Sequence, residues 1–281
     1  MCSSDLGDNP IAWSFEPSDL EPGDLSHDRL EWVYHRIVCP ENLMLGVTGD
    51  VSWEALEPRL ERLVGELHPC AAPLKRAPTP QVRREPGVFL IPRPSLEQST
   101  VVMAETATVR CGDTRDYFAA SIGNSILGAG GLSSRLMERL RTERGYAYSA
   151  SSLWTTPVSY DGLVGALTST KSASTVAAIR LILSTMDEMS EAAPEAREVA
   201  RSVDEIVNGF VFNFESPATI VARKIGLRAE RLPDDWLERY LAGVQRVTPA
   251  DIEDVFRRNV DPARMTILVV GNPDEIGRAH V

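Results

Sequence analysis

The sequence has few histidines and cysteines, the residues that build many metal sites and cross-linked frameworks, and it has no long apolar run. Its 281 residues include four histidines and four cysteines. No apolar run approaches the roughly 18 residues that a membrane-spanning helix needs. Lysine and arginine number 29 against 40 acidic residues, which gives a formal net charge of −11. These features predict no membrane span, and the negative charge argues against a nucleic-acid backbone as partner.

The few histidines and cysteines are also poorly spaced for metal binding. Two imidazoles share one face of a helix when they lie three or four residues apart, and no two histidines do so: His27, His35, His68 and His280. Apart from Cys2, which lies in a terminal segment set aside below, the cysteines are widely spaced and odd in number: Cys39, Cys70 and Cys111. They indicate neither a zinc ligand set nor an evident disulfide framework. We therefore expect isolated thiols, in the core or at the surface.

One pattern occurs twice in the chain, at an offset of 222 residues that takes Leu30 to Ile252. Each copy predicts a helix, a turn marked by proline and a buried strand that ends in Gly-Asp or Gly-Asn. A repeat at this distance indicates a duplicated domain, because solenoid units recur every 20–50 residues or so. We interpret residues 7–68 as the end of a first domain and residues 88–274 as a complete second domain. The offset relates these further pairs: Val33 and Val255, Val38 and Val260, Pro40 and Pro262, Val47 and Val269, Gly49 and Gly271.

The remaining segments are a linker and two ends of foreign origin. Residues 69–87 contain five prolines and predict a semi-extended interdomain linker. Residues 1–6 and 275–281 are explained by the two strands of one short-read sequencing adapter, so we set both segments aside as artefacts. With these ends removed, we expect the chain to be a fragment of a longer protein.

Hydrophobic periodicity and capping residues predict the order of the elements. Strands and a helix capped by Asp113 or Thr114 are followed by a hairpin, a run of helices and a last strand, which predicts an α+β sandwich with helices on one face of a mixed sheet. The glycine-rich run at 128–131 has no lysine and does not follow a strand, so it predicts a helix-to-helix turn rather than a phosphate cradle. A loop that lines a binding chamber is the alternative. The other predicted helices are 24–36, 53–67, 135–144, 175–189 and 195–214, and the predicted strands are 43–48, 88–91, 99–109, 147–155 and 162–169.

Several spaced motifs, in order, resemble those of a known peptidase family. They are GAGGLSSRL at 128–136, LRTERGYAYS at 140–149, STK at 169–171, FVFNFESP at 210–217 and the repeated unit described above. The chain resembles the C-terminal half of the pitrilysin/insulinase (M16) family of zinc peptidases, also called inverzincins. This resemblance implies two homologous α/β-sandwich domains of the metallopeptidase/mitochondrial-processing-peptidase-like fold, the first of them truncated here. The two halves of such proteins close over a substrate chamber.

The resemblance also implies where the metal is bound. In this family an H-x-x-E-H helix of the N-terminal half supplies two histidine ligands and a glutamate base. That motif is absent from this sequence. The duplicated helix of the second half places Ala120, Gly123 and Asn124 near the corresponding positions, and none of them can do this chemistry. We therefore expect zinc in the parent protein and none bound by this fragment, which contains no catalytic residue.

Arg141 and Tyr148 are the candidate substrate-binding residues. The resemblance implies that they hold a substrate carbonyl from across the chamber, because a guanidinium and a phenol can both donate hydrogen bonds to an oxygen that gains negative charge. Alternatively, Arg141 forms an ion pair at a helix end and Tyr148 packs in a strand. Tyr146 is a weaker candidate, since strand alternation predicts that it shares a face with Tyr148.

The resemblance thus implies the C-terminal part of a zinc-dependent metalloendopeptidase that hydrolyses peptide bonds in a closed chamber. The alternative is a non-catalytic partner or scaffold subunit of a heteromeric peptidase of the same fold. Expected partners are a peptide or unfolded protein substrate and either the missing N-terminal domain in cis or a zinc-bearing subunit in trans, as a homo- or heterodimer. Similar bacterial peptidases are often exported, so the expected location is periplasmic or secreted.

Overall fold

The computed structural model describes residues 26–70, 79 and 86–278. The terminal segment 1–6 and most of the predicted linker lie outside these residues. The described chain forms two compact units. The first unit holds the described residues up to 79 together with Phe212–Asp234, and the second holds residues 86–211 and 235–278. Each unit is described by itself below.

The described elements follow the predicted order closely. No described helix has the length and apolar character needed to cross a membrane. Residues 275–278, set aside as adapter-derived, belong to the last helix. The strands are β1 Gly87–Pro92, β2 Gln98–Ala107, β3 Ala147–Trp154, β4 Gly162–Lys171 and β5 Thr266–Gly271. The α-helices are α1 His27–Ile37, α2 Trp53–Gly65, α3 Arg115–Asn124, α4 Arg135–Met137, α5 Thr175–Glu191, α6 Ala196–Gly209, α7 Pro217–Ala229, α8 Trp236–Val244, α9 Pro249–Asn259 and α10 Pro273–Arg278.

The second unit is built on a five-stranded mixed sheet with the strand order β1-β5-β2-β4-β3. Strand β1 pairs with β5 in parallel, and the other neighbours are antiparallel. Burial alternates along β2, where Val101, Met103 and Ala107 are buried and Thr100 is exposed. The buried side chains of the sheet form one core with those of α3, α5 and α9. This arrangement confirms the predicted α+β class with a mixed sheet.

Helix α3 begins and packs as its sequence dictates. Of the two predicted caps, Thr114 is the N-cap, since its side-chain oxygen accepts a hydrogen bond from the backbone nitrogen of Tyr117 at 3.3 Å. Near the other end of α3, a Cβ atom on Gly123 would overlap the ring of Phe256 in α9. The glycine therefore allows the two helices to approach closely in the core.

The structure reproduces the internal repeat at the level of element boundaries. Adding 222 to the first and last residue numbers of α1 gives the first and last residue numbers of α9. Ser26 and Thr248 cap the two helices through side-chain oxygens that accept from the third helical residue. The offset also takes the 3₁₀ turn Pro40–Asn42 onto the turn Pro262–Arg264. The two copies therefore share one local design.

Residues 43–48 differ from the prediction. Their counterpart in the second copy is β5, which pairs on both sides. In the first copy the segment forms no strand, and Leu45 and Val47 are exposed. A strand exists through hydrogen bonds to its neighbours, and among the described residues none pairs with this segment. The predicted strand is thus wrong for the first unit.

The cysteines also differ from the prediction. Cys39 and Cys70 form a disulfide, with their Cα atoms 5.1 Å apart. Cys39 is completely buried. Cys111 is not disulfide-bonded. The expectation of three isolated thiols is wrong for the first two, because the turn after α1 and the segment after α2 bring residues 31 positions apart together.

Candidate functional site

Arg141 and Tyr148 lie together in the second unit. Arg141 belongs to a π-helical segment, Glu138–Glu143, that continues α4, and Tyr148 lies near the start of β3. Gly145 makes the turn between them with a φ of 61°, a conformation that glycine adopts without steric cost. The guanidinium carbon of Arg141 lies over the Tyr148 ring, 5.2 Å from its centroid. The two predicted residues therefore form a cation–π pair.

A β-bulge presents Tyr148 to solvent. Ala147 pairs with Thr170 and Ser149 pairs with Ser169, so Tyr148 is an extra residue in β3 without an opposite partner. Hydroxyl groups of β4 fix the backbone on both sides of the bulge: Thr170 Oγ1 donates to the carbonyl of Tyr146 at 2.6 Å, and Thr168 Oγ1 donates to that of Ser149 at 2.8 Å. Bulges of this kind re-aim side chains next to active sites. The Tyr148 side chain is 81% exposed.

The surroundings of the pair distinguish it from the structural alternative. Tyr148 does not pack in the strand, and in the described part of the chain Arg141 takes part in no salt bridge. Tyr146 is partly buried against the core instead. The prediction that Tyr146 and Tyr148 share one face is wrong, because the bulge shifts the alternation of β3 between them. The alternation of residue types along β3 does not reveal this bulge.

The glycine-rich run lies behind β3 as a helix-to-helix turn, as predicted. A π-helical segment, Ser125–Ala129, continues α3, and a 3₁₀ turn, Gly131–Ser133, leads to α4. A Cβ atom on Gly128 would overlap the backbone nitrogen of Ser152 in β3. The backbone of the turn therefore packs directly against the backbone of β3. π-Helical segments of this kind are frequent at functional sites.

Helix α3, which the sequence resemblance implies is the counterpart of a zinc-binding helix, does not fit a metal. Ala120 and Gly123 have no ligand atom, and both are buried in the core. The side-chain oxygen of Asn124 already accepts a hydrogen bond, since the Ser152 hydroxyl donates to Asn124 Oδ1 at 2.7 Å and to the Asn124 backbone carbonyl at 3.0 Å. Zinc in proteins is held by thiolates, imidazoles and carboxylates. The residues at these positions therefore serve packing and hydrogen bonding.

A charged groove in the same unit is a separate feature. It has a volume of about 680 Å³ and is lined by arginine and glutamate side chains of α4, α5 and α6 and the residues between them, without Arg141 or Tyr148. Arg135 donates to both carboxylate oxygens of Glu198 at 2.8 and 2.7 Å, and these hydrogen bonds lower the pKa of Glu198. Arg139 makes the same bidentate contact with Glu188, and these hydrogen bonds lower the pKa of Glu188. These two charge-assisted pairs cross-link the segments that line the groove.

Known proteins are similar to this chain in sequence and in fold. Residues 24–206 match the family model described as the peptidase M16 inactive domain. A Streptomyces coelicolor protein named as an uncharacterized zinc protease is 27% identical, and the alignment covers 88% of this chain and 54% of that protein. The chain thus spans about half the length of this curated relative.

Solved structures share the fold at lower identity. The crystal structure of a peptidase M16 inactive domain from Pseudomonas fluorescens has a TM-score of 0.79 at 22% identity, covering 95% of this chain and 63% of that one. A protease from Helicobacter pylori has a TM-score of 0.72 at 14% identity, covering 89% and 59%. The family model spans more than half of the sequence, and the chain therefore belongs to the peptidase M16 family, in the part described as its inactive domain.

Proposed function

We propose that this chain is the C-terminal part of a zinc-dependent endopeptidase and that it contributes substrate binding through Arg141 and Tyr148. The observation that carries the proposal is the Arg141–Tyr148 pair on the bulge of β3, with both side chains exposed. A guanidinium and a phenol both donate hydrogen bonds, and neither acts as a base at neutral pH. The pair is therefore suited to hold a peptide carbonyl oxygen.

Stacking gives the pair a defined geometry. An arginine that lies over an aromatic ring keeps its N–H groups at the edge of the guanidinium, free to bind an oxygen. Donors that are held in place before the reaction stabilise developing negative charge without reorganising. In the proposed protein, zinc bound outside this chain would activate water and polarise the scissile carbonyl. The role of Arg141 and Tyr148 is to orient that carbonyl and to share its charge.

The exposed apolar surface of the first unit supports a first domain in cis. Leu30 and Tyr34 of α1 are 54% and 52% exposed, whereas their repeat partners Ile252 and Phe256 are completely buried. In the second unit α9 packs against α3 and α5. By analogy, α1 and residues 43–48 would be covered by the corresponding helices and strands of a first domain. This part of the proposal concerns the presence of a first domain, and the zinc ligands of that domain separate a single-chain peptidase from a partner subunit.

The decisive experiment uses the intact parent protein, expressed from the uninterrupted gene. We expect Arg141→Ala and Tyr148→Phe each to lower kcat for a quenched fluorescent peptide by about 100-fold, the typical effect of removing one such donor. KM should change little, because the contact strengthens as the oxygen gains charge. Arg180→Ala and Tyr160→Phe are the matched controls, since they alter the same residue types outside the segment that holds the pair. Both controls should keep normal kcat.

Two results would contradict the proposal. Unchanged kcat in both Arg141→Ala and Tyr148→Phe would remove these residues from substrate binding. Peptidase activity of the present chain by itself would show that the catalytic residues lie within it. A parent whose first domain lacks zinc ligands would instead identify a partner subunit, and the same variants would then be assayed with the zinc-bearing subunit added.

A further inference from the structure

The disulfide of the first unit lies within a cluster of metal-ligand side chains. Besides the two sulfur atoms of Cys39 and Cys70, a carboxylate oxygen of Glu41 belongs to the cluster, and all three atoms lie within 4.8 Å of one another. The same carboxylate accepts a hydrogen bond from the backbone nitrogen of Cys70 at 3.2 Å. The ligand atoms of one tetrahedral zinc lie roughly 3.3–3.8 Å apart, given its usual bond lengths. Small movements would therefore bring this trio to metal-binding distances.

Two histidines accompany the cysteines on the same chain segments. His35 precedes Cys39 by four residues and His68 precedes Cys70 by two. Their rings meet edge to face, with centroids 4.4 Å apart. Each segment thus carries one imidazole and one cysteine, and the two imidazoles contact each other. Local sequence patterns do not reveal this contact, because the two histidines lie far apart along the chain.

One ring nitrogen of His35 is available to a ligand, although the side chain as a whole is 37% exposed. Its Nδ1 atom is buried and has no hydrogen-bond partner among the described residues. A buried ring nitrogen is normally satisfied, and a metal ion is one way to satisfy it. Its other nitrogen, Nε2, lies 3.6 Å from a carboxylate oxygen of Glu31. Histidine ligands commonly direct their second nitrogen to a carboxylate in this way, which fixes the ring and raises its basicity.

We propose that Cys39, Cys70 and Glu41 form a structural zinc site when the disulfide is reduced, and that His35, which lies outside this cluster in the oxidised chain, moves in as the fourth ligand. A dithiol reductant supplies two electrons and two protons, so that the S–S bond breaks into two thiols while the dithiol closes to its own disulfide. Zn²⁺ then binds both sulfurs as thiolates and releases two protons. In this arrangement Glu31 positions His35. The cross-link between the two segments is a disulfide in an oxidising compartment and a zinc bridge in a reducing one.

The site would be distinct from the zinc of the proposed peptidase. It uses residues of the first unit only, and its role is to hold the turn after α1 against the segment after α2. Thiolate ligands favour zinc over the harder divalent cations. The sequence-based expectation that this fragment binds no zinc would then hold for its oxidised form alone.

The test is a metal titration of the full chain in both redox states. We expect the reduced chain to take up one Zn²⁺ in competition with a colorimetric chelator and the oxidised chain to take up none. Co²⁺ in place of Zn²⁺ should give the sulfur-to-cobalt charge-transfer absorption. Cys39→Ser, Cys70→Ser and His35→Gln should each weaken zinc binding by about 100-fold or more, and Glu31→Gln by about 10-fold, as for other supporting carboxylates.

The control variants are Cys111→Ser and His68→Gln, and both should bind zinc as the unaltered chain does. The proposal is overturned if the oxidised chain or the Cys39→Ser/Cys70→Ser double variant binds zinc as tightly as the reduced chain. It is equally overturned if reduced protein gives no charge-transfer absorption with Co²⁺. A loss of binding in His68→Gln but not in His35→Gln would refute the assignment of the fourth ligand. Because Glu31 touches no sulfur, its variant tests the site without breaking the cross-link.

Discussion

The Glu198 carboxylate joins two helices of the second unit. It accepts two hydrogen bonds from Arg135 and a third from the backbone nitrogen of Glu195, at the start of α6. The Arg135 and Glu198 side chains are mostly buried. The hydrogen bonds from Arg135 are the main reason that the pKa of Glu198 lies below its usual value of 4.5, and they outweigh the opposing effect of burial.

We expect this carboxylate to make the stability of the second unit depend on acidity. Since its pKa is lowered on folding, its stabilisation is fully present above the unfolded value near 4.5 and is lost as pH falls through the lower folded value. Glu198→Gln should lower the free energy of unfolding at neutral pH by about 2 kcal/mol. Below pH 4.5 the difference from the unaltered chain should shrink. Urea unfolding across this pH range measures both effects.

Glu191→Gln is the matched control, because Glu191 lines the same groove without an ion pair in the described structure. It should leave both the stability and its pH dependence unchanged. A constant difference between the Glu198→Gln and unaltered chains at all pH values would show that the Glu198 charge is not what stabilises the contact.

At the scale of elements, helices α1 and α9 test how much of a helix's stability comes from its surroundings. The two helices have equal length, an N-cap oxygen that accepts from the third helical residue and a common sequence pattern, and α9 has in addition a capping box between Thr248 and Asp251. They differ in burial, since α9 contributes buried residues to the core whereas none of α1 is buried. Helical stability in proteins comes mostly from packing of the apolar face. The repeat therefore gives an internal comparison in which packing is the main variable.

We expect Ile252→Ala to lower the free energy of unfolding of the second unit by about 2–5 kcal/mol, as for other completely buried aliphatic side chains. The equivalent change Leu30→Ala should cost less than about 0.5 kcal/mol in this chain, because Leu30 is largely exposed. Urea unfolding of the two variants provides the comparison. In the intact parent, Leu30→Ala should become as costly as Ile252→Ala. Equal costs in the present chain would contradict the exposure of α1.

At the scale of the whole molecule, two segments present apolar side chains that have the character of interior residues. Residues 43–48 expose Leu45 and Val47 without a neighbouring strand in the described structure. The edge strand β1 also exposes its apolar side chains, Phe89 among them. Unpaired extended segments and edge strands of this kind are templates for association with other chains.

We therefore expect the chain to self-associate at high concentration and Val47→Lys to reduce that association severalfold. A lysine on an unpaired extended segment opposes pairing with another chain. Static light scattering as a function of protein concentration measures the effect. Val211→Lys adds the same charge at another exposed valine and should have little influence. Equal reductions in both variants would attribute the effect to net charge instead of the segment.

Local patterns in the sequence were sufficient to predict most of the elements. The cap of α3, the strands of the hairpin and the helix and turn of both copies of the repeat all lie close to their predicted positions. These features depend on side chains within a few residues of one another, whose periodicity and hydrogen bonding are visible in the sequence. The resemblance to a peptidase family, which the family model confirms, also rested on such local motifs.

The candidate site was only partly predictable. Arg141 and Tyr148 were identified from the motif, but their stacking depends on the turn at Gly145 and on the bulge at Tyr148. A bulge is decided by how β3 and β4 pair, and so it depends on residues about twenty positions away. For the same reason the sequence misplaced Tyr146.

The sequence by itself determined the family, the α+β class and the repeated helix and turn, because each follows from local pattern and order along the chain. The tertiary structure alone decided three other features: the joining of Cys39 to Cys70, the exposed stacking of Arg141 on Tyr148 and the absence of a strand at residues 43–48 from the described structure. Each depends on which distant segments lie side by side. Such contacts are set by packing and strand pairing over the whole unit, and no local pattern encodes them.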